Sequence, residues 1–436
     1  MQEEPIMKKF VAILLAALLV CTAASALAYS KDEPITITFW HTRGSGANYD
    51  VLKACVDGFN STVGAEKGII VEEVYQGGYA AITSAVQLAC QAGEQPVVCV
   101  SSGVRVSLLL DEDIPADVSA LAEASGFDRT RFFDGLMETP GNEDGALRSF
   151  PYVRSTPVLY YNKTLADSLG LTAPKTVEDL EAFAKAMFKK DESGEVLTWG
   201  FELTNDITFL QGTLLWSLGE PLVGENGTSP CLTGSSMEKT LTDWLRWIDE
   251  GWCRPYDTTN AGTICNEMLT AGKLGCFVAS CASLSNLLKS TKEAGIELGV
   301  SYFPYYNEPG CSIGGGNIFV VGKNNTDEQI AAGWEFVQYV LADEQVAAEA
   351  IGSGYLPTTK TIVENEAMKA FWEANPQYKV AYDQLAWGHC EEFPYWLDRT
   401  EFKTNCAGIV DNTILENKFT PAEAVQEMLK VNEHLL

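Results

Sequence analysis

Histidine is scarce in this chain of 436 residues: only His41, His389 and His434 occur. No two stand at the spacing of a metal-ligand pair, so a zinc centre is not expected. C-x-x-C pairs are missing too. The twelve cysteines are scattered, and the number beyond residue 28 is odd. Cys99 falls in the apolar run Val97–Val100, and Cys55 and Cys90 fall on apolar helix faces. That pattern reads as buried thiols packing as small hydrophobes. Cys253/Cys265 and Cys276/Cys281 are the local candidates for pairing, with connectivity left open by spacing.

Basic residues number 30 against 59 acidic ones, a net charge of −29. Such a surface repels nucleic acid and anionic lipid, so no nucleic-acid partner is expected. The glycine-rich runs lack the Lys-Ser/Thr of a phosphate loop. Ser280 and Cys281 have no neighbouring His to activate a nucleophile. Neither an internal repeat nor a low-complexity linker is visible, which speaks against a structural or adhesive surface protein. Asp111-Glu112-Asp113 and Glu391-Glu392 offer carboxylates of the kind an exported carbohydrate-active enzyme uses. Adjacent strand residues point oppositely, however, and acid runs are ordinarily solvated.

The N-terminus carries the strongest positive signal. Met7-Lys8-Lys9 is a short basic start, Phe10–Val20 an unbroken apolar run, and Ala26-Leu27-Ala28 supplies small residues where a signal peptidase cuts. The run is shorter than the roughly 20 residues a permanent span needs, and no later apolar run approaches that length. Residues 1–28 therefore read as a signal peptide, and the mature chain as exported and periplasmic or at the cell surface. Glu3 and Glu4 place acid where base belongs, so translation can start at Met7 rather than Met1. Cys21 after Leu18-Leu19-Val20 resembles a lipoprotein box with a bulky residue before the cysteine, which leaves a lipid anchor open.

About 400 residues remain, enough for two ordinary domains, and 46 % hydrophobic content against 20 % charge supports a real core. Ile35–Trp40 alternates as a strand, and Ile69–Val74 and Val97–Val100 read as two more. Helices between them carry Val51, Leu52, Cys55, Val56 and Phe59, then Ile82, Ala85, Val86 and Ala89. Alternation of strand and helix implies an α/β layer structure with parallel strands. Further on, Thr156–Tyr161, Gly275–Ala279, Gly299–Phe303 and Ile318–Val321 read as strands. Thr176 caps one helix, Thr326-x-x-Gln329 opens another, and Thr420-Pro421-x-Glu423 opens the last.

Several motifs now carry a resemblance. Phe39-Trp40-His41, Tyr75-Gln76-Gly77-Gly78-Tyr79, Ser155–Lys163 (STPVLYYNK), Gly314-Gly315-Gly316-Asn317 and Gly354–Lys360 resemble solute-binding proteins of ABC importers, in the carbohydrate-uptake family and nearest its glycerophosphate binders. The likeness spans the mature chain, and STPVLYYNK is its specific part. It implies a type II periplasmic-binding-protein-like fold: two α/β lobes joined by crossing hinge segments, with ligand trapped between them. The implied division is 31–146 plus 312–345 for one lobe and 147–311 plus 346–436 for the other. The implied function is non-catalytic capture of glycerol-3-phosphate, a related glycerophosphodiester or a sugar by a monomer, for delivery to ABC permease subunits, with no cofactor.

Carried over by position, the resemblance implies that Tyr79, Ser155, Ser280, Gly314, Tyr355 and Arg399 contact the ligand. The family's acid after the third strand is Ser102 or Gly103 here, and its serine before Ser155 is Arg154. Arg154 and Arg399 suit an anion through bidentate donors, with ion pairing in an acid-rich chain as the plain alternative. Arg43 beside the helix start after Gly44-Ser45-Gly46 is a further anion candidate. Among Trp40, Trp216, Trp387 and Trp396, Trp40 and Trp387 are expected near the cleft. Open α/β sheets bind ligands beyond the carboxyl ends of their strands, and each motif is expected at such a loop.

Overall fold

The computed structural model describes residues 29–137, 139, 141–142, 145–206, 211–220, 235–256, 261–385, 389–392 and 399–435, with the backbone alone at 104, 134–135, 389–392 and 399–400. Residues 1–28, read above as a signal peptide, lie outside the described residues together with Cys21, as do Trp387 and Trp396. The strands are β1 (Ile35–His41), β2 (Ile69–Tyr75), β3 (Val98–Ser102), β4 (Phe150–Ser155), β5 (Pro157–Asn162), β6 (Lys189–Lys190), β7 (Val196–Glu202), β8 (Cys253–Arg254), β9 (Leu274–Ser280), β10 (Leu298–Ser301), β11 (Gly310–Val320) and β12 (His389–Glu392).

They form two six-stranded sheets. The first runs β12-β11-β3-β1-β2 with β4 on β11, and the second β10-β5-β9-β7-β6 with β8 on β7. In the first, β1 is parallel to β2 and β3, whereas β11 runs antiparallel to β3 and β4. Side chains alternate across a strand, and the two faces receive separate cores. Ile37, Phe39, Val98, Val100, Ile318 and Val320 pack on one face with Phe59, Phe150, Trp334 and Phe336. Cys99, Phe319 and Val321 turn the other way, toward Ile82, Val86, Val106 and Leu109. The second sheet divides likewise: Leu159, Cys276 and Val278 join Phe183, Trp244 and Trp247, while Val158, Tyr160 and Phe277 join Leu269, Leu284 and Leu287. Burying one such aliphatic or aromatic side chain stabilises by about 1.5–3 kcal/mol. Helix entries are secured by capping boxes at Thr176/Asp179, Thr326/Gln329 and Thr420/Glu423, the last with Pro421 in the first turn.

Two of the cysteine expectations are corrected here. Cys253, Cys265, Cys276 and Cys281 form no disulfide. Cys253 and Cys276 belong to one face of the second sheet, Cys265 and Cys281 to the other. The sheet therefore stands between the members of each candidate pair.

The halves are joined where chain passes directly from sheet to sheet. β4 becomes β5 with Thr156 alone between them. Its Oγ1 accepts from Gln384 Nε2 at 2.7 Å, and its carbonyl accepts from the Cys281 N–H at 3.0 Å. β11 reaches across as well: residues 316–320 pair with β3, while the Ser312 N–H donates to Thr213 Oγ1 at 3.0 Å, on the helix Gly212–Ser217 of the second core. Residues 354–359 straddle the same junction. Leu356 donates its N–H to Arg154 O at 2.7 Å and packs with the second sheet, whereas Thr359 bridges to Phe132 in the first core. This corrects the expectation of a loop at every motif. Phe39-Trp40-His41 and Tyr75–Tyr79 do lie at carboxyl ends of strands, but STPVLYYNK and the three glycines are the crossing strands themselves.

Candidate ligand-binding site

The site begins with a histidine at the end of β1. His41 is buried, its Nδ1 accepts the Arg43 N–H at 3.2 Å, and its Nε2 lies 2.6 Å from Glu73 Oε2. A backbone N–H can only donate, so the ring proton resides on Nε2 and is given to the carboxylate. Tyr49 donates its hydroxyl to the other Glu73 oxygen at 2.9 Å. Burial lowers the His41 pKa, with Glu73 pulling part of the way back, so the neutral ring is the one that fits. This local lock turns the chain so that Arg43 points inward.

Arg43 is 7 % exposed and Glu349, on the helix Asp343–Ser353, 8 %. Arg43 Nη1 donates to Glu349 Oε2 at 2.9 Å and to Asn48 O at 2.8 Å. The guanidinium lies 5.1 Å from the ring centre of Tyr152 and 5.4 Å from that of Tyr355, cation–π distances to both. Burial is the largest single influence and opposes its charge, but Glu349 together with Tyr152 and Tyr355 raises the pKa overall. One side of this ion pair is incomplete. Arg43 Nη2, Glu349 Oε1 and Asn48 Oδ1 are buried without a hydrogen-bond partner among the described residues.

Tyr79 opens the helix Tyr79–Ala92 and reaches the crossing strand: a Cβ on Gly316 would come within 2.5 Å of its hydroxyl. Burial raises the pKa values of Tyr79, Tyr152 and Tyr355, so all three remain neutral O–H donors. Gly315 has φ +142°, and a Cβ there would be driven into Val153 O. Only a residue without a side chain lets β11 approach β4 this closely. The sequence signal Gly314-Gly315-Gly316 thus resolves into separate tasks, backbone approach at Gly315 and room for Tyr79 at Gly316.

Arg154 is 1 % exposed and ties the crossing strands together. Nη1 donates to Val153 O and Gly316 O, both at 3.0 Å, and Nη2 to Asn317 Oδ1 at 2.7 Å. The Asn317 amide then donates to Thr139 Oγ1 at 2.8 Å and Ser149 Oγ at 2.6 Å. Ser155 stands opposite Gly314 in register and is buried. Ser280 Oγ accepts the Ala282 N–H at 3.2 Å, and the Ser280 carbonyl accepts the Tyr160 hydroxyl at 2.9 Å. Trp40 is half-buried against the face holding Ile82 and Cys99, and Trp216 is buried in the second half. The Arg399 side chain lies outside the described residues.

The halves touch near these groups: Asn48 Nδ2 donates to Ala282 O at 3.2 Å, and the Ala47 N–H to Asn286 Oδ1 at 3.1 Å. Tyr79, Tyr355, Arg43 and Arg154 therefore come together, as their electrostatic influence on Tyr79 also requires. Sequence reasoning missed Glu349, Tyr152 and Asn48. Glu349 sits in an acidic helix that reads as solvated, and Tyr152 lies just upstream of the motif without a signal of its own. Among the described residues no group of three or more His, Cys, Asp or Glu could hold a metal ion. No helix among them is long and apolar enough to cross a membrane.

A family model for bacterial extracellular solute-binding proteins matches residues 54–380. The chain is 24 % identical over 375 residues to the sn-glycerol-3-phosphate-binding periplasmic protein UgpB of Rhizobium meliloti (strain 1021), covering 81 % of this chain and 82 % of that protein. It is 26 % identical over 385 residues to UgpB of Brucella abortus (strain 2308), covering 82 % and 83 %. Among solved structures, UgpB from Mycobacterium tuberculosis in complex with glycerophosphocholine superposes with a TM-score of 0.77 at 18 % identity, over 92 % of this chain and 98 % of that one. MalE from Bdellovibrio bacteriovorus bound to maltotriose gives 0.76 at 16 % identity, over 92 % and 99 %. With two layered lobes, strands that cross between them and this match, the chain belongs to the bacterial extracellular solute-binding proteins, the capture components of ABC importers.

Proposed function

We propose that this protein captures a small polyhydroxyl solute, either glycerol-3-phosphate, a related glycerophosphodiester or a sugar, and delivers it unchanged to ABC permease subunits. The carrying observation is the convergence of Arg43, Tyr79, Tyr152 and Tyr355 where the crossing strands meet. Clefts between domains bury polar ligands on several sides. Solute bound across the junction favours the closed arrangement, and the permease reads that shape. The division into lobes belongs to the same proposal, with its first boundary moved from 146/147 to Thr156 because β4 pairs within the first sheet. The direct passage from β4 to β5 supports a first hinge point at Thr156.

The protein acts outside the cytoplasm, as a monomer and without catalysis. Glu112, the middle acid of the first carboxylate run, accepts from Gln87 Nε2 at 2.6 Å, and its carbonyl accepts from Lys323 Nζ at 2.8 Å. That is a structural use rather than one half of an acid–base pair. Calorimetric titration with glycerol-3-phosphate, glycerophosphocholine and maltose tests the reading. The expected result is one-to-one binding of at least one, recovered intact. Turnover of any, or binding of none, overturns it.

A further inference from the structure

Arg43 and Glu349 are joined by a single hydrogen bond, although a guanidinium and a carboxylate can meet through two. The second donor, Arg43 Nη2, and the second acceptor, Glu349 Oε1, are both buried and unpartnered among the described residues. Buried polar groups are rarely left so, and a missing partner deserves a cause. The group that would complete them must accept one hydrogen bond and donate another. A hydroxyl does both. A phosphate oxygen can accept from Nη2, but it would bring negative charge against a carboxylate that is 8 % exposed.

The surroundings agree. The pair is electrically balanced, so it offers no surplus positive charge to an anion. Tyr152 and Tyr355 flank the guanidinium, and the hydroxyls of Tyr79, Tyr152 and Tyr355 make no hydrogen bond to a described residue. Arg154, the other cation near Tyr79, directs its Nη1 and Nη2 donors to Val153, Gly316 and Asn317. Asn48 adds a third incomplete atom, Oδ1, and carries one of the contacts between the halves.

We infer that Arg43 Nη2 and Glu349 Oε1 form a subsite that reads a hydroxyl of the captured solute and not its phosphate, a deepening that rests on the solute-capture reading above. Closure around a molecule lacking that hydroxyl strands a donor and an acceptor away from water. Closure around the right one satisfies both. The subsite therefore couples hydroxyl recognition to the contact between lobes. The hydroxyl can come from a sugar or from the glycerol end of a glycerophosphodiester, and both present the same chemistry.

The test is titration of maltose, glycerol-3-phosphate and glycerophosphocholine against the full-length mature protein and two variants, with circular dichroism and thermal unfolding recorded for each. Whichever ligand the unmodified protein binds identifies the source of the hydroxyl. Glu349→Gln keeps an acceptor for Arg43 but replaces a charged acceptor facing the ligand, and affinity should fall about tenfold to a hundredfold. Arg43→Lys keeps the cation but loses the second arm of the fork, with a similar fall. Tighter binding of a phosphate ligand by Glu349→Gln would show that the subsite faces the phosphate and overturns the inference. Unchanged affinity in both folded variants also overturns it, because the incomplete atoms would then be served by ordered water. If the unmodified protein binds none of the three, the solute-capture reading fails first and the subsite with it.

Discussion

Two buried arginines, from neighbouring parts of the same junction, have opposite fates. At the crossing strands, the Arg154 guanidinium feeds a chain of hydrogen bonds through Asn317 to Thr139 and Ser149. At the rim, Arg43 is held on one side by Glu349 and the Asn48 carbonyl and left open on the other. The first arrangement is what a hinge requires: paired polar groups in a low-dielectric interior define one geometry. The second leaves a buried donor and acceptor unsatisfied, which costs free energy until a partner completes them. Burial and residue type are the same in both places. What differs is the terminal nitrogens: both are bonded at Arg154, and one stays open at Arg43.

Substitutions in the two regions should therefore act on different observables. The largest effect is expected for Gly315→Ala, which combines φ +142° with a clash against Val153 O. Strain at such a position costs about 1–3 kcal/mol before the clash is counted. Denaturant unfolding should reveal a loss of that size or greater, and a wild-type melt would break the comparison. Next comes Asn317→Ala, which leaves Arg154 Nη2 without its side-chain acceptor and takes the amide donors from Thr139 and Ser149. Stability should fall by about 2–4 kcal/mol, with ligand affinity little altered in the folded fraction. If affinity collapses while stability holds, the hinge and the recognition rim are not separate.

Tyr355→Phe sharpens the contrast from the other side. The hydroxyl makes no bond to a described residue, so unfolding should shift by less than about 0.5 kcal/mol. Solute affinity should weaken by roughly fivefold to tenfold, the size of one neutral hydrogen bond. The smallest effect concerns the lock that aims Arg43. His41 has a folded pKa below its ordinary 6.5, so the unfolded chain binds the proton more readily. Stability from this group is complete above pH 6.5 and declines as pH falls through the folded value. The slope cannot exceed about 1.4 kcal/mol per pH unit. His41→Asn, which keeps an acceptor for the Arg43 N–H, should flatten that slope in urea unfolding measured between pH 5 and 7.

Much of the scaffold was legible in the chain. The alternation in Ile35–Trp40, the Tyr79–Ala92 stripe and the three threonine caps are local signals, because side-chain periodicity and capping act within a few residues. β4 and the first half of β11 were not legible. Phe150–Ser155 is buried throughout and shows no alternation, and Gly314-Gly315-Gly316 reads as a loop until a strand on each side claims it. Of the site, Tyr79, Tyr355 and Arg43 stood out through motif or position, whereas Tyr152 and Glu349 were indistinguishable from ordinary core and surface residues.

Composition, periodicity and caps by themselves determined a large acidic α/β protein and a set of aromatic and arginine candidates. Tertiary structure alone decided which arginine commits both terminal nitrogens to the scaffold and which keeps one of them open. Arg43 and Glu349 are separated by 306 positions, and Arg154 and Asn317 by 163. Partnerships over such distances depend on how two sheets settle against each other, and no local pattern encodes that.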